Sequence, residues 1–336
     1  MKRLGLCVAL FLTGALFAQS SKVTIKLGTV APRDSSFHRI LMQMAEQWRK
    51  ASNGAVELKI YPGGTLGGEA EMVRRMKTGV LDAGLLTCVG LSDIDNSVEA
   101  LQSLPMMFRS LDEVDYVGVK LYPKMDKKLR EKGFVVLFWA DTGWVRFFSK
   151  KPLATPDDLK KMKLFSWAGD VASVDILKSA GFKPVPLETA DILPGLETGL
   201  IETVSMPPYV ALTTQVYGTA NHMLELNWAP LVGGLVVTER AWNKLTPDVQ
   251  RQLAIAAGEA GRQMKARNRL ESDQAVEAMK KRNLVVQPVT PAIEEAWRKA
   301  AEAAYPQIRG RIMPADMFDE VKRLLVEYRA AHPISR

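Results

Sequence analysis

The sequence predicts an α/β protein built from two lobes between which the chain crosses more than once. Three observations predict it. Apolar patterns of period two and period 3.6 alternate along the chain at the spacing of βαβ units, which implies mainly parallel sheets covered by helices on both faces. The 336 residues are enough for about two domains, each with its own core. No internal repeat, low-complexity tract or glycine-serine linker divides the chain, so the lobes are interleaved and not strung like beads.

Each element has its own signal. Val23 to Val30 alternates apolar and polar residues as a strand does. Pro32 and the pair Ser35-Ser36 then turn the chain and cap a helix whose apolar side carries Ile40, Leu41, Met44, Ala45 and Trp48. Ala55 to Tyr61 reads as the next strand, closed by Pro62-Gly63-Gly64. Glu69 to Thr78 is a short helix with Gly79 past its end, and Ala83 to Val89 is a third strand with Cys88 inside it. Thr155-Pro156, Thr246-Pro247 and Thr290-Pro291 each set a hydroxyl cap before a proline at the first helical position. The second of these opens the longest helical stretch, Pro247 to about Lys281. Its apolar side runs through Val249, Leu253, Ala257, Ala260 and Met264, then Leu270, Val276 and Met279. At 1.5 Å per residue it would span about 50 Å, so either it breaks near Gly258–Gly261 or it lies across both lobes.

The amino-terminal residues carry an address. Lys2 and Arg3 precede an apolar run from Leu4 to Phe17, with Ala18 before the polar Gln19-Ser20-Ser21, which is the pattern of a cleaved secretory signal peptide over residues 1–18. Cys7 lies too early in the run for a lipoprotein cysteine. Export to the periplasm is therefore expected, with Cys88 as the one thiol of the mature chain. No later stretch reaches the roughly 18 apolar residues of a spanning helix, so no stable membrane insertion is expected after cleavage.

Composition removes several functions. The formal charge is +8, yet basic residues are dispersed among acids, as in Met125 to Lys132, which reads as a solvated helix face and not a nucleic-acid stripe. Two cysteines cannot form a disulfide scaffold or a four-cysteine zinc cage, and His38, His222 and His332 are far apart in sequence. No metal or cofactor is expected. The chain has no metalloprotease helix motif, no GxSxG elbow and no Walker lysine; Gly63-Gly64-Thr65-Leu66-Gly67-Gly68 fits neither nucleotide fingerprint and reads as a turn. Ser36 with His38, or Cys88 with His222, would supply a nucleophile and a base by residue type alone, which leaves a secreted hydrolase as an alternative.

A longer pattern points elsewhere. Tyr61-Pro62-Gly63-Gly64-Thr65-Leu66-Gly67-Gly68-Glu69-Ala70-Glu71-Met72, with Gly79 and Asp82, resembles the signature of the solute-binding proteins of TRAP (tripartite ATP-independent periplasmic) transporters, of the dicarboxylate-binding type. The likeness continues in family order through Leu104-Pro105-Met106-Met107-Phe108, Gly143-Trp144-Val145-Arg146, Thr155 to Lys160, Pro186-Leu187-Glu188, Leu196 to Leu200 and Trp242 to Gln250. The resemblance implies a two-lobe periplasmic-binding-protein fold with a hinge and a long helix bridging the lobes. It implies a ligand cleft between them, a small-molecule ligand that is usually an organic acid, delivery to TRAP membrane permease subunits, and no catalysis. By that pattern the first lobe takes residues 19–143 and 232–275, and the second 144–231 and 276–336. A carrier or sensor of the same fold that works without a permease is a further alternative.

Two positions depart from the family. Where the resemblance places a carboxylate-clamping arginine, this chain has Phe165, and where it places a ligand-binding asparagine, the chain has Met206. Trp167 and Tyr209 add aromatic surface beside them. The expected ligand is thus amphipathic or largely apolar, with at most one acidic group. Arg146 matches a second family arginine; it either faces the cleft or pairs with a buried acid such as Glu188 or Glu69. Ligands of open α/β sheets sit beyond the carboxyl ends of the strands, which adds Ala31, Phe37, Thr87, Val89 and Trp139 to Asp141, while Glu69 opens a helix near the cleft. For Phe37, Val89 and Trp139, core packing is an equal alternative.

Overall fold

The computed structural model describes residues 22–333; the expected leader 1–18, with Cys7, lies outside the described residues. The chain begins β1 (Val23–Thr29), α1 (Ser36–Ala51), β2 (Val56–Tyr61), α2 (Glu69–Thr78), β3 (Ala83–Thr87) and α3 (Cys88–Ser92). A 3-10 turn at Asn96–Leu101 leads to α4 (Leu111–Glu131) and the long β4 (Phe134–Ser149). Then come α5 (Pro156–Lys161), β5 (Lys163–Trp167), α6 (Val171–Ser179), β6 (Lys183–Leu187), α7 (Ile192–Thr198), β7 (Thr203–Met206) and α8 (Pro208–Thr213). The long β8 (His222–Thr238), α9 (Glu239–Trp242), α10 (Pro247–Lys280), β9 (Val285–Gln287), α11 (Pro291–Arg311) and α12 (Ala315–Ala331) complete it.

The strands follow the order β2-β1-β3-β8-β4-β7-β5-β6, with β9 on β8. Within the two flanks the pairing is parallel, as β1 with β2 and β3, and β5 with β6 and β7. The centre differs from the expected parallel arrangement. β4 carries the chain from the first lobe to the second and β8 carries it back, so the two must run antiparallel. The far half of β8 pairs with β3, while the far half of β4 pairs with β7. Their ladder slips between Asp141 and Trp144, opposite Pro230 to Val232.

The three threonine-proline starts form as their sequence predicts. Thr155, Thr246 and Thr290 each accept from the backbone N–H three residues on, at Asp158, Val249 and Ile293. α10 is unbroken over 34 residues and packs against α1 and α8, one from each lobe. Gly261 is what allows it to lie on β4, because a Cβ there would collide with the Phe138 ring. Its buried stripe includes Leu253, Ala257, Met264, Asn268, Ser272 and Met279; Leu270, expected on that stripe, is exposed.

One further expectation changes. β3 ends at Thr87 and Cys88 opens α3, because the Glu69 carboxylate takes the Thr87 and Gly90 N–H groups and turns the strand into a helix start. α11 packs on α5 and α6, but a break at Gly310 (φ 92°) returns the chain so that α12 packs on α4, where Arg329 binds Glu113 at 2.7 Å.

Candidate ligand-binding cleft

A cleft of about 750 Å³, including its mouth, opens at the carboxyl ends of β1 and β3. Its floor is Thr29 to Pro32 and Leu85 to Thr87, its back the crossing residues Asp141, Thr142 and Leu231 to Gly233. The second lobe covers it with Trp167, Thr189 and Val210, and α10 contributes Met264 and Asn268. A larger cavity, about 1570 Å³ with its opening, lies between the second lobe's sheet and helices α6 and α11, with Val89, Gln102, Ser103 and Pro105 of the first lobe at its edge. Phe165, Met206, Val145, Phe147, Trp228 and Trp297 form its wall. The two cavities share Trp167, Thr189, Val210 and Leu231, so they adjoin at Trp167. That ring stands edge-on to Phe165, with centroids 5.2 Å apart.

The electrostatics of both cavities are one-sided. Among the described residues lining them there is no Lys, Arg or His. The acids that border them are already bonded. Glu69 accepts from Thr87 N (2.7 Å), Thr87 Oγ1 (2.6 Å) and Gly90 N (3.2 Å), and burial raises its pKa despite those bonds. Asp141 accepts from Arg269 Nε (3.0 Å), Arg269 Nη2 (2.7 Å) and Gly143 N (3.0 Å). Asp170 caps α6 through Ser173 N. Asn268 is the exception. Its Nδ2 donates to Asp141 O at 3.2 Å, but its buried Oδ1 has no partner among the described residues.

Beyond Trp167 a polar vestibule is lined by Asp93, Glu99, Asp170, Glu188 and Arg311. Burial lifts the Glu99 carboxyl to about 7. Arg311 lies 3.6 Å from Asp175. Across this vestibule the lobes touch, since the Glu188 carboxylate rests where Gly68 has no side chain.

The sequence profile of bacterial extracellular solute-binding protein family 7 (DctP) matches residues 27–310. The chain belongs to that family. Among its relatives, the 2,3-diketo-L-gulonate-binding periplasmic protein YiaO of Escherichia coli K12 is 25% identical over 296 residues, covering 85% of this chain and 88% of the relative. The fold of a TRAP periplasmic solute-binding protein from Ralstonia eutropha H16, solved with (S)-2-acetolactate, matches with a TM-score of 0.84 at 22% identity, covering 90% of this chain and 99% of that one. A TRAP periplasmic solute-binding protein from Sulfurospirillum deleyianum, solved with succinate, matches with a TM-score of 0.83 at 22% identity, covering 90% and 99%.

Family 7 proteins are receptors and not enzymes, and neither hydrolase pairing is assembled in this one. Ser36 Oγ donates to Glu271 Oε2 (2.6 Å), while His38 Nδ1 accepts from Asp34 N (3.2 Å). Cys88 is buried at the start of α3, near the half of β8 that pairs with β3, whereas His222 begins β8 at its opposite end.

Of the residues singled out in this family 7 sequence, Phe37 and Glu69 line the cleft, Phe165 and Met206 line the inner cavity, Val89 borders the inner cavity and vestibule, and Trp167 borders all three. Ala31, Thr87, Ala140 and Asp141 also line the cleft.

Three lie elsewhere. Arg146 lines none of these spaces and pairs with neither Glu69 nor Glu188. Val145 and Phe147 take the cavity side of β4, so the residue between them turns to the opposite face, toward Glu225 and Asp273. There its buried Nε has no partner among the described residues, and burial lowers the guanidinium pKa against the pull of those two acids. Trp139 stacks on Tyr122 (5.3 Å, 4°) and donates to Asp126 Oδ1 (2.8 Å). Tyr209 packs on Phe37 and its hydroxyl accepts from Ser36 N at 2.8 Å, tying α8 to α1. Asn268 was legible only as a polar residue four positions past Met264 on an apolar stripe.

Proposed function

We propose that this family 7 protein is an extracytoplasmic receptor that binds an amphipathic or largely apolar small molecule between its lobes and delivers it to a TRAP-type membrane permease. The first lobe comprises residues 19–143 and 232–275 together with α12, the second 144–231 and the remaining carboxyl-terminal residues through α11, and the chain hinges where β4 and β8 slip register. Residues 1–18 export it to the periplasm.

One observation carries the ligand class: both cavities are walled by apolar and aromatic side chains and contain no cation among the described residues. The relatives solved with acetolactate and succinate hold acids. A buried carboxylate without charge-assisted donors is strongly disfavoured, and here Phe165 and Met206 supply none. Covering about 300 Å² of apolar ligand surface is worth roughly 7 kcal/mol before the cost of association is subtracted. Met206 adapts to ligand shape while Phe165 and Trp167 give rigid walls.

The test is to purify the protein from its own host, identify any retained molecule by native mass spectrometry, then strip, refold and titrate with succinate and with a decyl-chain series. An apolar or amphipathic ligand is expected in the first step and binding of decyl compounds in the second. Tight succinate binding with the decyl compounds inert overturns the proposal. Uptake of the retained molecule into vesicles carrying the permease, dependent on the receptor, tests delivery.

A further inference from the structure

We infer that the solute carries a hydroxyl, received by Asn268 in the cleft, and that its hydrocarbon body runs past Trp167 into the cavity of the second lobe. This rests on the apolar-ligand reading and specifies its chemistry. Asn268 is 1% exposed and sits in the cleft wall. Its Nδ2 is committed to the Asp141 carbonyl, an acceptor only, which fixes the amide so that Oδ1 is the free end. That oxygen is buried with no partner, and a buried acceptor left unpaired marks a place for a donor.

The rest of the cleft narrows the donor. A carboxylate would set its charge against Oδ1 with no Lys, Arg or His lining the cleft to balance it. An ammonium needs a free anion, but the carboxylates of Glu69 and Asp141 already accept three bonds each. A hydroxyl fits both sides. It donates to Asn268 Oδ1 and can accept from Thr29, whose Oγ1 takes Ala31 N at 3.1 Å and whose proton has no acceptor among the described residues. The adjoining apolar space then receives the hydrocarbon body, because Trp167, Thr189, Val210 and Leu231 border both cavities and the Trp167 ring need only turn aside. The inner cavity beyond them is walled by Phe165, Phe147, Trp228 and Trp297, an apolar and aromatic lining of the kind that ligand sites use.

The experiment compares decanol, decanoate, decylamine and decane on the stripped and refolded full mature chain by calorimetric titration at neutral pH. Decanol is expected to bind on the order of tenfold tighter than decanoate or decylamine. Asn268→Leu should lower decanol affinity by a similar factor and leave decane unchanged. Ala304→Phe, which narrows the inner cavity from α11, should weaken hexadecanol more than hexanol. Decanoate or decylamine binding as tightly as decanol on the unsubstituted protein overturns the hydroxyl assignment while leaving the apolar-ligand reading intact, and it needs no variant to fold. Equal loss of hexadecanol and hexanol in Ala304→Phe overturns the placement of the chain. Succinate binding with all decyl probes inert overturns both readings.

Discussion

Replacing Arg269 by methionine removes the cation that pins the lobe crossing to α10. In the native protein its guanidinium bridges Asp141 Oδ1 and Oδ2, at 3.0 and 2.7 Å, and Asp115 Oδ2 and Oδ1, at 3.0 and 2.6 Å. The Asp141 side chain is 5% exposed, and without Arg269 it keeps only the Gly143 N–H on Oδ1, leaving Oδ2 bare. Asp115 is one-third exposed and retains Lys265, so its loss is small. Breaking a buried pair by removing one partner costs about 3–5 kcal/mol; the 22% exposure of Arg269 admits water and reduces this to about 2–4 kcal/mol. At roughly 1.5 °C per kcal/mol for a chain of this length, the melting temperature should fall by about 3–6 °C. Differential scanning calorimetry at pH 7.5 reads it. Because the cost lies in the stranded carboxylate, Asp141→Asn combined with Arg269→Met should regain at least half the loss. A fall below about 1 °C in the single variant, or a double variant no more stable than the single, would refute this reasoning.

Two more outcomes follow from other buried groups. Glu99 ionises near 4.5 when free and at about 7 when folded, because burial resists its charge. Between those values the folded state holds a proton that the unfolded chain has lost, so its stability falls as pH rises and the full cost, about 3 kcal/mol, is present above pH 7. Glu99→Gln should therefore melt several degrees above the native protein at pH 8 and level with it at pH 4; an equal difference at both pH values would contradict the assignment. Tyr209→Phe strips the acceptor from the buried Ser36 N–H and should cost about 1–3 kcal/mol in denaturant melts, with faster amide exchange at the start of α1. Unchanged exchange there would deny the tie between α1 and α8.

Much of this protein was legible before any coordinates. α2 runs over the residues its sequence predicts, the three threonine caps form, and the long helix spans both lobes. Such features are local: a cap, a proline and an apolar period each act within a few residues. The loss of polar groups at positions 165 and 206 was equally visible, because residue chemistry does not depend on the fold, and both side chains do line the inner cavity.

Partners distant in the chain were not legible. Glu69 borders the cleft, and only the fold shows its carboxylate already holding Thr87 and Gly90. Tyr209 looks like a pocket wall until Ser36, 173 positions away, is seen donating to it. Arg146 depends on one step of alternation, since adjacent residues of a strand face opposite sides and the β4–β8 ladder slips three times along its length. The return of α12 turns on the single positive φ of Gly310. By itself, then, the sequence determined the α/β class, the family pattern and the apolar side chains at positions 165 and 206 of the proposed site. Only the tertiary structure decided which side chains share that site, because the facing of a side chain and the satisfaction of a buried polar atom are properties of everything packed around it.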